Sequence, residues 1–165
     1  MVFFDTCIWI ELCSVKSPEK ENEKRQSMLA SKLLSKILSE KETIVTCEEQ
    51  LCEIISAVSK VKMREANRKA KEEGKAGIGN LKEFRKNEAF QSNQELCKSV
   101  ISDVKHFADI HECAYSVEDI LDRIDMADIN DCIYYDYCKQ NGIELYTFDK
   151  DIINLGATGR VHVLK

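Results

Sequence analysis

The chain has 165 residues, of which 44% are hydrophobic, and carries a formal net charge of −5. This length allows one domain with a substantial core, and the hydrophobic content is typical of globular proteins. We predict no transmembrane helix, because no run of about 18 apolar residues occurs, and no signal peptide, so we expect a cytoplasmic protein.

The charges are separated along the chain. Residues 60–86 contain ten Lys/Arg and four Glu, whereas residues 112–151 contain eleven Asp/Glu and three Lys/Arg. This separation favours binding of a polyanion at one surface and of a cation at another. The eight cysteines show no CxxC pair and no zinc-type spacing, and most lie in apolar stretches. We interpret them as reduced thiols that pack as small hydrophobes rather than as disulfides.

Hydrophobic spacing predicts alternating helices and strands in the first part of the chain. The predicted elements are a buried strand at 2–4, helices at 7–15 and 19–39, a strand at 43–46 and a helix at 48–64. Residues 65–80 follow as a helix end and a flexible loop, because three glycines fall in the last third of this segment.

The same criteria predict the remaining elements. They are a helix at about 93–108, a brief strand at 112–116, a helix capped by Ser116, a helix at 129–141 closed by Gly142, and strands at 143–147 and 160–165. Such alternation predicts an α/β fold, a three-layer α/β/α sandwich with a short, mostly parallel central sheet. We predict one domain, residues 1–165, with a helical arm inserted at about 60–110.

Four acidic residues occupy positions that would converge in such a sheet. Asp5 directly follows the first strand, Asp149 follows the strand 143–147, and Asp131 lies in the helix before that strand. Glu53 lies about two turns into the helix after the second strand. Functional groups gather beyond the carboxyl ends of parallel strands, and crowded carboxylates repel each other unless a cation lies between them. An all-oxygen site suits Mg²⁺ or Mn²⁺, and the three histidines show no ligand spacing.

The aspartates also have purely structural interpretations. Asp5 would be a favourable N-cap of the helix that follows it, and Asp128 with Asp131 would form a capping pair at a helix start. Asp149 and Asp151 would form a surface turn. Sequence spacing by itself leaves these alternatives open.

The acids lie in three stretches: VFFDTCIWIEL at 2–12, TIVTCEEQLCEII at 43–55 and DCIYYDYCKQNGIELYTFDKDI at 131–152. These stretches resemble the PIN domain family of nucleases. That family has an opening strand ending in Asp-Thr/Ser-Asn, a strand–helix unit with an acidic residue, and a helix–Gly–strand–Thr-x-Asp run. The third stretch is the most specific match, because it reproduces the family's helix–Gly–strand–Thr-x-Asp run without a gap. Together the stretches cover under a third of the chain, and the region 60–110 matches no motif.

The resemblance implies roles for individual residues. The catalytic and metal-binding acids would be Asp5, Glu53, Asp131 and Asp149, with Thr6 and Thr147 orienting them. Asp128 or Asp151 would be an additional acid. Glu48 and Glu49 compete with Glu53, which is preferred because of its distance from the small residue that closes the strand, here Cys47. Cys7 stands where the family usually has asparagine, which puts one supporting hydrogen bond in question.

The resemblance also implies a function. It indicates a metal-dependent endoribonuclease that hydrolyses RNA phosphodiester bonds with Mg²⁺ or Mn²⁺. The metal lowers the pKa of a bound water, so no general-base histidine is required. Many small PIN proteins are VapC-like toxins, which implies an antitoxin partner and a homodimer. A non-catalytic RNA- or protein-binding module on the same fold is the alternative.

Basic residues of the arm are candidates for RNA binding: Lys60, Lys62, Arg64, Arg68, Lys69 and Lys71. We expect most of them on one side of a helix, where they would contact phosphates without reading the base sequence. The alternative is a solvated helix face on which Glu65, Glu72 and Glu73 balance their charge.

Overall fold

Five short strands form one parallel sheet in the computed structural model, which describes residues 1–156 and 159–165. The strands are β1 Val2–Phe4, β2 Ile44–Thr46, β3 Ala108–Ile110, β4 Glu144–Thr147 and β5 Val161–Val163. Their order across the sheet is β3-β2-β1-β4-β5, and every neighbouring pair is parallel. β1 therefore lies at the centre, and the carboxyl ends of all five strands lie at one edge of the sheet.

Helices connect the strands. They are α1 Thr6–Leu12, α2 Glu21–Ser39, α3 Glu48–Glu72, α4 Leu81–Phe84, α5 Ala89–Phe107, α6 Val117–Leu121 and α7 Ile129–Asn141, followed by a 3₁₀ helix at Asp151–Leu155. Two predicted helix ends are confirmed. Ser116 Oγ accepts a hydrogen bond from Asp119 N at 3.2 Å, and Gly142 ends α7 with a φ of +66°. Glycine suits this position because a side chain disfavours the left-handed conformation.

Two hydrophobic cores lie on opposite faces of the sheet. Val2 and Phe4 point into the first core, together with buried residues of α1, α2, α3 and α5. Phe3 points to the other face, into a second core with buried residues of α6, α7 and the 3₁₀ helix. Alternate residues of a strand face opposite sides, so three consecutive apolar residues serve both cores. Helices on both faces confirm the predicted three-layer α/β/α sandwich.

The strand predicted at 112–116 is wrong. The strand in this part of the chain is β3, at Ala108–Ile110, which follows α5 without a loop and pairs with β2. β3 is an edge strand, and only its first residue is buried. Its Asp109 and Ile110 are exposed, so the sequence lacks the apolar signal of a buried strand there.

The region of the predicted arm is helical, but part of it belongs to the sandwich. α3 continues past residue 64, where its apolar stripe ends, because the following Arg, Lys, Glu and Ala residues are good helix formers. α5 packs along α3 and contributes Val100 and Val104 to the first core. Residues 74–88 between them are mostly exposed, except for the buried Phe84 in α4, a helix that was not predicted. One domain with an arm stays a prediction.

Two general features complete the description. All eight cysteines are free thiols, and those at 47, 97, 113, 132 and 138 are buried. Across the described residues, no helix has both the length and the apolar character needed to cross a membrane.

Candidate active site

Asp5 lies at the carboxyl end of the central strand. Its backbone N–H donates to Tyr146 O at 2.9 Å, which joins the end of β1 to β4. The residue is only 6% exposed, and although it occupies the N-cap position of α1, its side chain makes no capping hydrogen bond. Its Oδ2 instead accepts hydrogen bonds from the Thr147 hydroxyl and from the Cys7 thiol, the latter at 3.0 Å. The helix cap therefore does not account for this aspartate.

Thr147, the fully buried last residue of β4, connects two of the acids. Its hydroxyl donates to Asp5 and accepts a hydrogen bond from the backbone N–H of Asp149 at 2.8 Å. Asp149 is exposed at the rim, where its Oδ1 accepts from Asp151 N at 2.8 Å. The predicted surface turn between these two aspartates is present, and it fixes the position of Asp149 beside Asp5.

Glu53 is the acid that α3 contributes. Its Oε2 accepts hydrogen bonds from Thr6 Oγ1 and from the Tyr134 hydroxyl, both at 2.7 Å. Among the described residues no hydrogen bond reaches its Oε1. Glu53 lines the same cleft as Asp5, whereas Glu48 is exposed and Glu49 does not line that cleft. Packing therefore selects Glu53 among the three glutamates that the sequence left in competition.

Asp131 lies in the first turn of α7 and is half-buried. Asp128 occupies the N-cap position of this helix without a capping hydrogen bond, and it is exposed. Both residues line the cleft with the other acids. We call this cleft, of about 390 Å³, the acidic cleft; its acids are Asp5, Glu11, Glu53, Asp128, Asp131 and Asp149.

The carboxylates perturb one another. The pKa of Asp131 is raised to about 7, chiefly by burial and then by the charges of Asp5, Asp149, Glu53 and Asp128, in that order of effect. Burial also raises the pKa of Asp5, against the hydrogen bonds from Thr147 and Cys7 and with a smaller contribution from the Glu53 charge. The four acids that the sequence placed at the sheet edge are thus near neighbours in the fold.

Three features of the site were not predicted from the sequence. Tyr134 was assigned no role, yet it supports Glu53; its position three residues after Asp131 on one helix face was the available signal. Cys7 forms hydrogen bonds at the position where the family usually has asparagine. Its sulfur donates to Asp5 and accepts from Phe148 N at 3.3 Å. Burial and the Asp5 charge raise the pKa of Cys7, so the thiol keeps its proton and remains a donor.

The third unpredicted feature is a partly buried ion pair at the edge of the acidic cleft. Glu11 of α1 is 8% exposed, and its Oε1 lies 3.3 Å from Lys16 Nζ. Lys16 also lies 3.3 Å from Glu23 of α2. The lysine therefore ties the loop after α1 to α2 and places one positive charge beside the carboxylates.

The six candidate RNA-binding residues do not form a single face. At about 100° per residue, four of them share one side of α3, while Lys62 and Lys69 lie on the opposite side. Lys60 and Arg64 line the acidic cleft. Arg68 forms an ion pair with Glu19, and Lys62 pairs with Glu65. Most of the six thus share one side of α3, as expected, but the structure brings only Lys60 and Arg64 to the acids, and their role in RNA binding stays a prediction.

The acids fit a hard divalent cation by their chemistry. Within residues 1–156 and 159–165, no Lys or Arg forms a salt bridge with Asp5, Glu53, Asp131 or Asp149. No group of three or more His, Cys, Asp or Glu side chains in this part of the chain is arranged so that it could by itself hold a metal ion. Mg²⁺ usually keeps several waters and takes one or two carboxylates, so this oxygen-only donor set suits it.

Comparison with known proteins identifies the family. The model of the PIN domain family matches residues 2–157, which include all four acids. No curated protein and no solved structure shows a significant match. Proteins with PIN domains are typically nucleases that depend on divalent metals. Because the family match spans nearly the whole chain and includes the acidic cleft, this chain belongs to the PIN domain family.

Proposed function

We propose that this protein is an endoribonuclease that uses Mg²⁺ or Mn²⁺ to hydrolyse phosphodiester bonds within RNA. One observation carries the proposal: Asp5, Glu53, Asp131 and Asp149 converge on one cleft without cationic partners among the described residues. Family membership supports nuclease chemistry of this general type. Burial and then the neighbouring carboxylates raise the Asp131 pKa to about 7, and this supports a cation at the centre of these acids, because a cation would stabilise the charged form.

The acids would hold the metal, and their neighbours would hold the acids. A bound Mg²⁺ or Mn²⁺ supplies a water of lowered pKa and positive charge for the leaving oxygen. Thr6 and Tyr134 both donate hydrogen bonds to Oε2 of Glu53, so Oε1 is left for another ligand. Thr147 and Cys7 bind Oδ2 of Asp5 in the same manner. Such supporting hydrogen bonds orient metal-binding carboxylates.

Lys60 and Arg64 provide for the substrate. Both line the acidic cleft from α3, and neither forms a salt bridge within the described residues. A phosphate approaching the acids would be repelled by them and attracted by these two cations. Contacts of this type position the sugar-phosphate backbone without selecting bases. We therefore expect broad sequence tolerance from this side of the site.

The decisive experiment compares matched Asp-to-Asn variants. With a fluorogenic RNA and Mn²⁺, Asp131→Asn and Asp5→Asn should reduce cleavage by about 100-fold or more, because each removes a charge from the donor set. Asp109→Asn, an exposed residue on the edge strand β3, is the control and should cleave like the wild type. Equal cleavage by the wild type and an Asp5/Asp149 double variant would refute the proposal.

A second measurement separates the nuclease from a non-catalytic binding module. Mn²⁺ should raise the thermal midpoint of the wild type, because a ligand that binds only the folded state stabilises it. Asp131→Asn should lose most of that shift. RNA binding that is indifferent to Mn²⁺ and EDTA, with no thermal shift, would instead favour the binding module.

The role in the cell rests on the family resemblance alone. We propose a VapC-like toxin that acts in the cytoplasm, forms a homodimer and is silenced by an antitoxin protein. Expression of the wild type should then arrest growth, and Asp5→Asn should relieve the arrest. Sedimentation of the purified protein tests the dimer, and a protein that co-purifies and inhibits cleavage would be the antitoxin.

A further inference from the structure

A second cleft continues from the acidic cleft past Asp149. This flanking cleft, of about 690 Å³, is bounded by α2 on one side and by the segment after β4 and the end of β5 on the other. Gln26, Phe148 and Asp149 line both clefts. Since these three residues are shared, the two clefts adjoin at the carboxyl edge of β1 and β4, and together we call them the groove.

The flanking cleft is basic. Arg25, Lys150 and Lys165 line it and are exposed, and within the described residues none of them forms a salt bridge. Asp149, at the junction, is the one acidic residue among the described lining residues. Arg68 on α3 is different, because Glu19 neutralises it. The cations of the flanking cleft are thus available to an anionic ligand in the same way as Lys60 and Arg64.

The groove therefore has positive charge on both sides of a negative centre. Lys60 and Arg64 of α3 line the acidic cleft, whereas Arg25 of α2 and Lys150 of the segment after β4 line the flanking cleft beyond Asp149. A single charged metabolite would need only one of these pairs. A chain with a phosphate at every unit can use both pairs at once, with one phosphodiester placed at the acids between them.

We propose that the whole groove binds one RNA strand, with phosphates on one side of the scissile bond contacting Lys60 and Arg64 and phosphates on the other side contacting Arg25 and Lys150. This inference rests on the proposed function and extends it to residues of α2 and of the segment after β4. The groove has no end at the acids, so the strand enters on one side and leaves on the other. Cleavage is consequently internal, and a free RNA end is not required.

The test measures RNA binding without hydrolysis. A fluorescein-labelled oligouridylate is titrated with the Asp131→Asn protein in EDTA at several salt concentrations. In that background, log affinity should fall linearly with log salt concentration. This fall should become less steep by about 1.4 in each of two double variants, Arg25→Ala/Lys150→Ala and Lys60→Ala/Arg64→Ala, since each phosphate contact on a single strand contributes about 0.7. Lys98→Ala/Lys105→Ala, exposed on α5 outside the groove, is the charge-matched control and should leave the slope unchanged.

The outcomes separate this inference from the proposed function. If Arg25→Ala/Lys150→Ala behaves like the control while Asp131→Asn abolishes cleavage, the two-sided RNA groove is refuted and the proposed nuclease activity is supported. If both groove variants make the salt dependence of RNA binding less steep but the wild type cleaves no RNA, the two-sided RNA groove is supported and the proposed hydrolysis is refuted. A circular single-stranded RNA supplies the second readout. The wild type with Mn²⁺ should linearise it. Failure to do so while a linear RNA is degraded would overturn the two-sided groove together with internal cleavage, and would leave metal-dependent RNA hydrolysis from an end.

Discussion

The acidic cleft and the basic surface of α3 are held in place by different means. Asp5 and Glu53 each receive two side-chain hydrogen bonds, from residues on three different elements of the fold. The basic side chains extend from one helix, and the ion pair of Arg68 with Glu19 is exposed. Exposed pairs contribute little free energy and are easily exchanged. The difference indicates that the acids are positioned before any ligand arrives, whereas the cations adapt to it.

Among substitutions that disturb the positioning of the acids, Thr147→Val should have the largest effect on cleavage. It keeps the shape of the side chain but removes the hydroxyl that bonds both Asp5 and the Asp149 backbone. We expect about a 100-fold loss of cleavage and a destabilisation of about 1–3 kcal/mol, because buried polar atoms lose their partner. Thr46→Val, which removes a buried hydroxyl bonded to Gln50, is the control. It should destabilise the fold similarly, and if it also lost as much cleavage, positioning of the acids would not be the cause.

Tyr134→Phe tests the support of Glu53 with a smaller change. One of two hydrogen bonds to Oε2 is lost and Thr6 keeps the other, so we expect about a 10-fold weaker affinity for Mn²⁺. Tyr135→Phe is the matched control on the same helix, because its hydroxyl bonds Gly156 O. Titration of Mn²⁺ by the shift in thermal midpoint measures the effect without turnover. Equal affinities of the two variants would contradict a role of Tyr134 at the site.

The stability of the metal-free protein should depend on pH through the same acids. The pKa of Asp131 is raised from 3.8 to about 7 on folding, so the folded state binds a proton that the unfolded state has released in this interval. The free energy of unfolding should therefore decrease as pH rises from about 4 to about 7 and level off above that. Asp131→Asn should flatten this dependence in thermal scans, and saturating Mn²⁺ should restore stability at the upper end. A stability that increases with pH over the interval in EDTA would contradict the crowding of these carboxylates.

The smallest effect separates two arginines on α3. With Arg64→Ala, the fall of log RNA affinity with log salt concentration should become less steep by about 0.7, because the variant removes one phosphate contact on a single strand. Arg68→Ala should change it less, since Glu19 already neutralises this side chain. The exposed ion pair itself should contribute little to stability. Equal salt slopes for the two variants would remove the distinction between free and paired cations.

Much of the fold was predictable because its signals are local. Three consecutive apolar residues before Asp5 indicated β1, and Gly142 indicated the end of α7. The edge strand β3 was missed, because only one of its three residues is buried and a strand at an edge needs little apolar pattern. The length of α3 was underestimated because its second half is held by helix propensity rather than by a buried stripe.

The sequence by itself indicated that Asp5 and Asp149 lie at the same sheet edge, since both follow parallel strands, but it left Glu53 in competition with Glu48 and Glu49. Only the tertiary structure decided how they are held and what surrounds them. Glu53 and Tyr134 are 81 positions apart in the chain, and Asp5 and Thr147 are 142 apart. The order of residues encodes periodicity and caps over a few positions, whereas a hydrogen bond between such distant side chains depends on how strands and helices pack. The same reason explains why the basic residues of α2 and of the segment after β4 joined the groove only in the folded molecule.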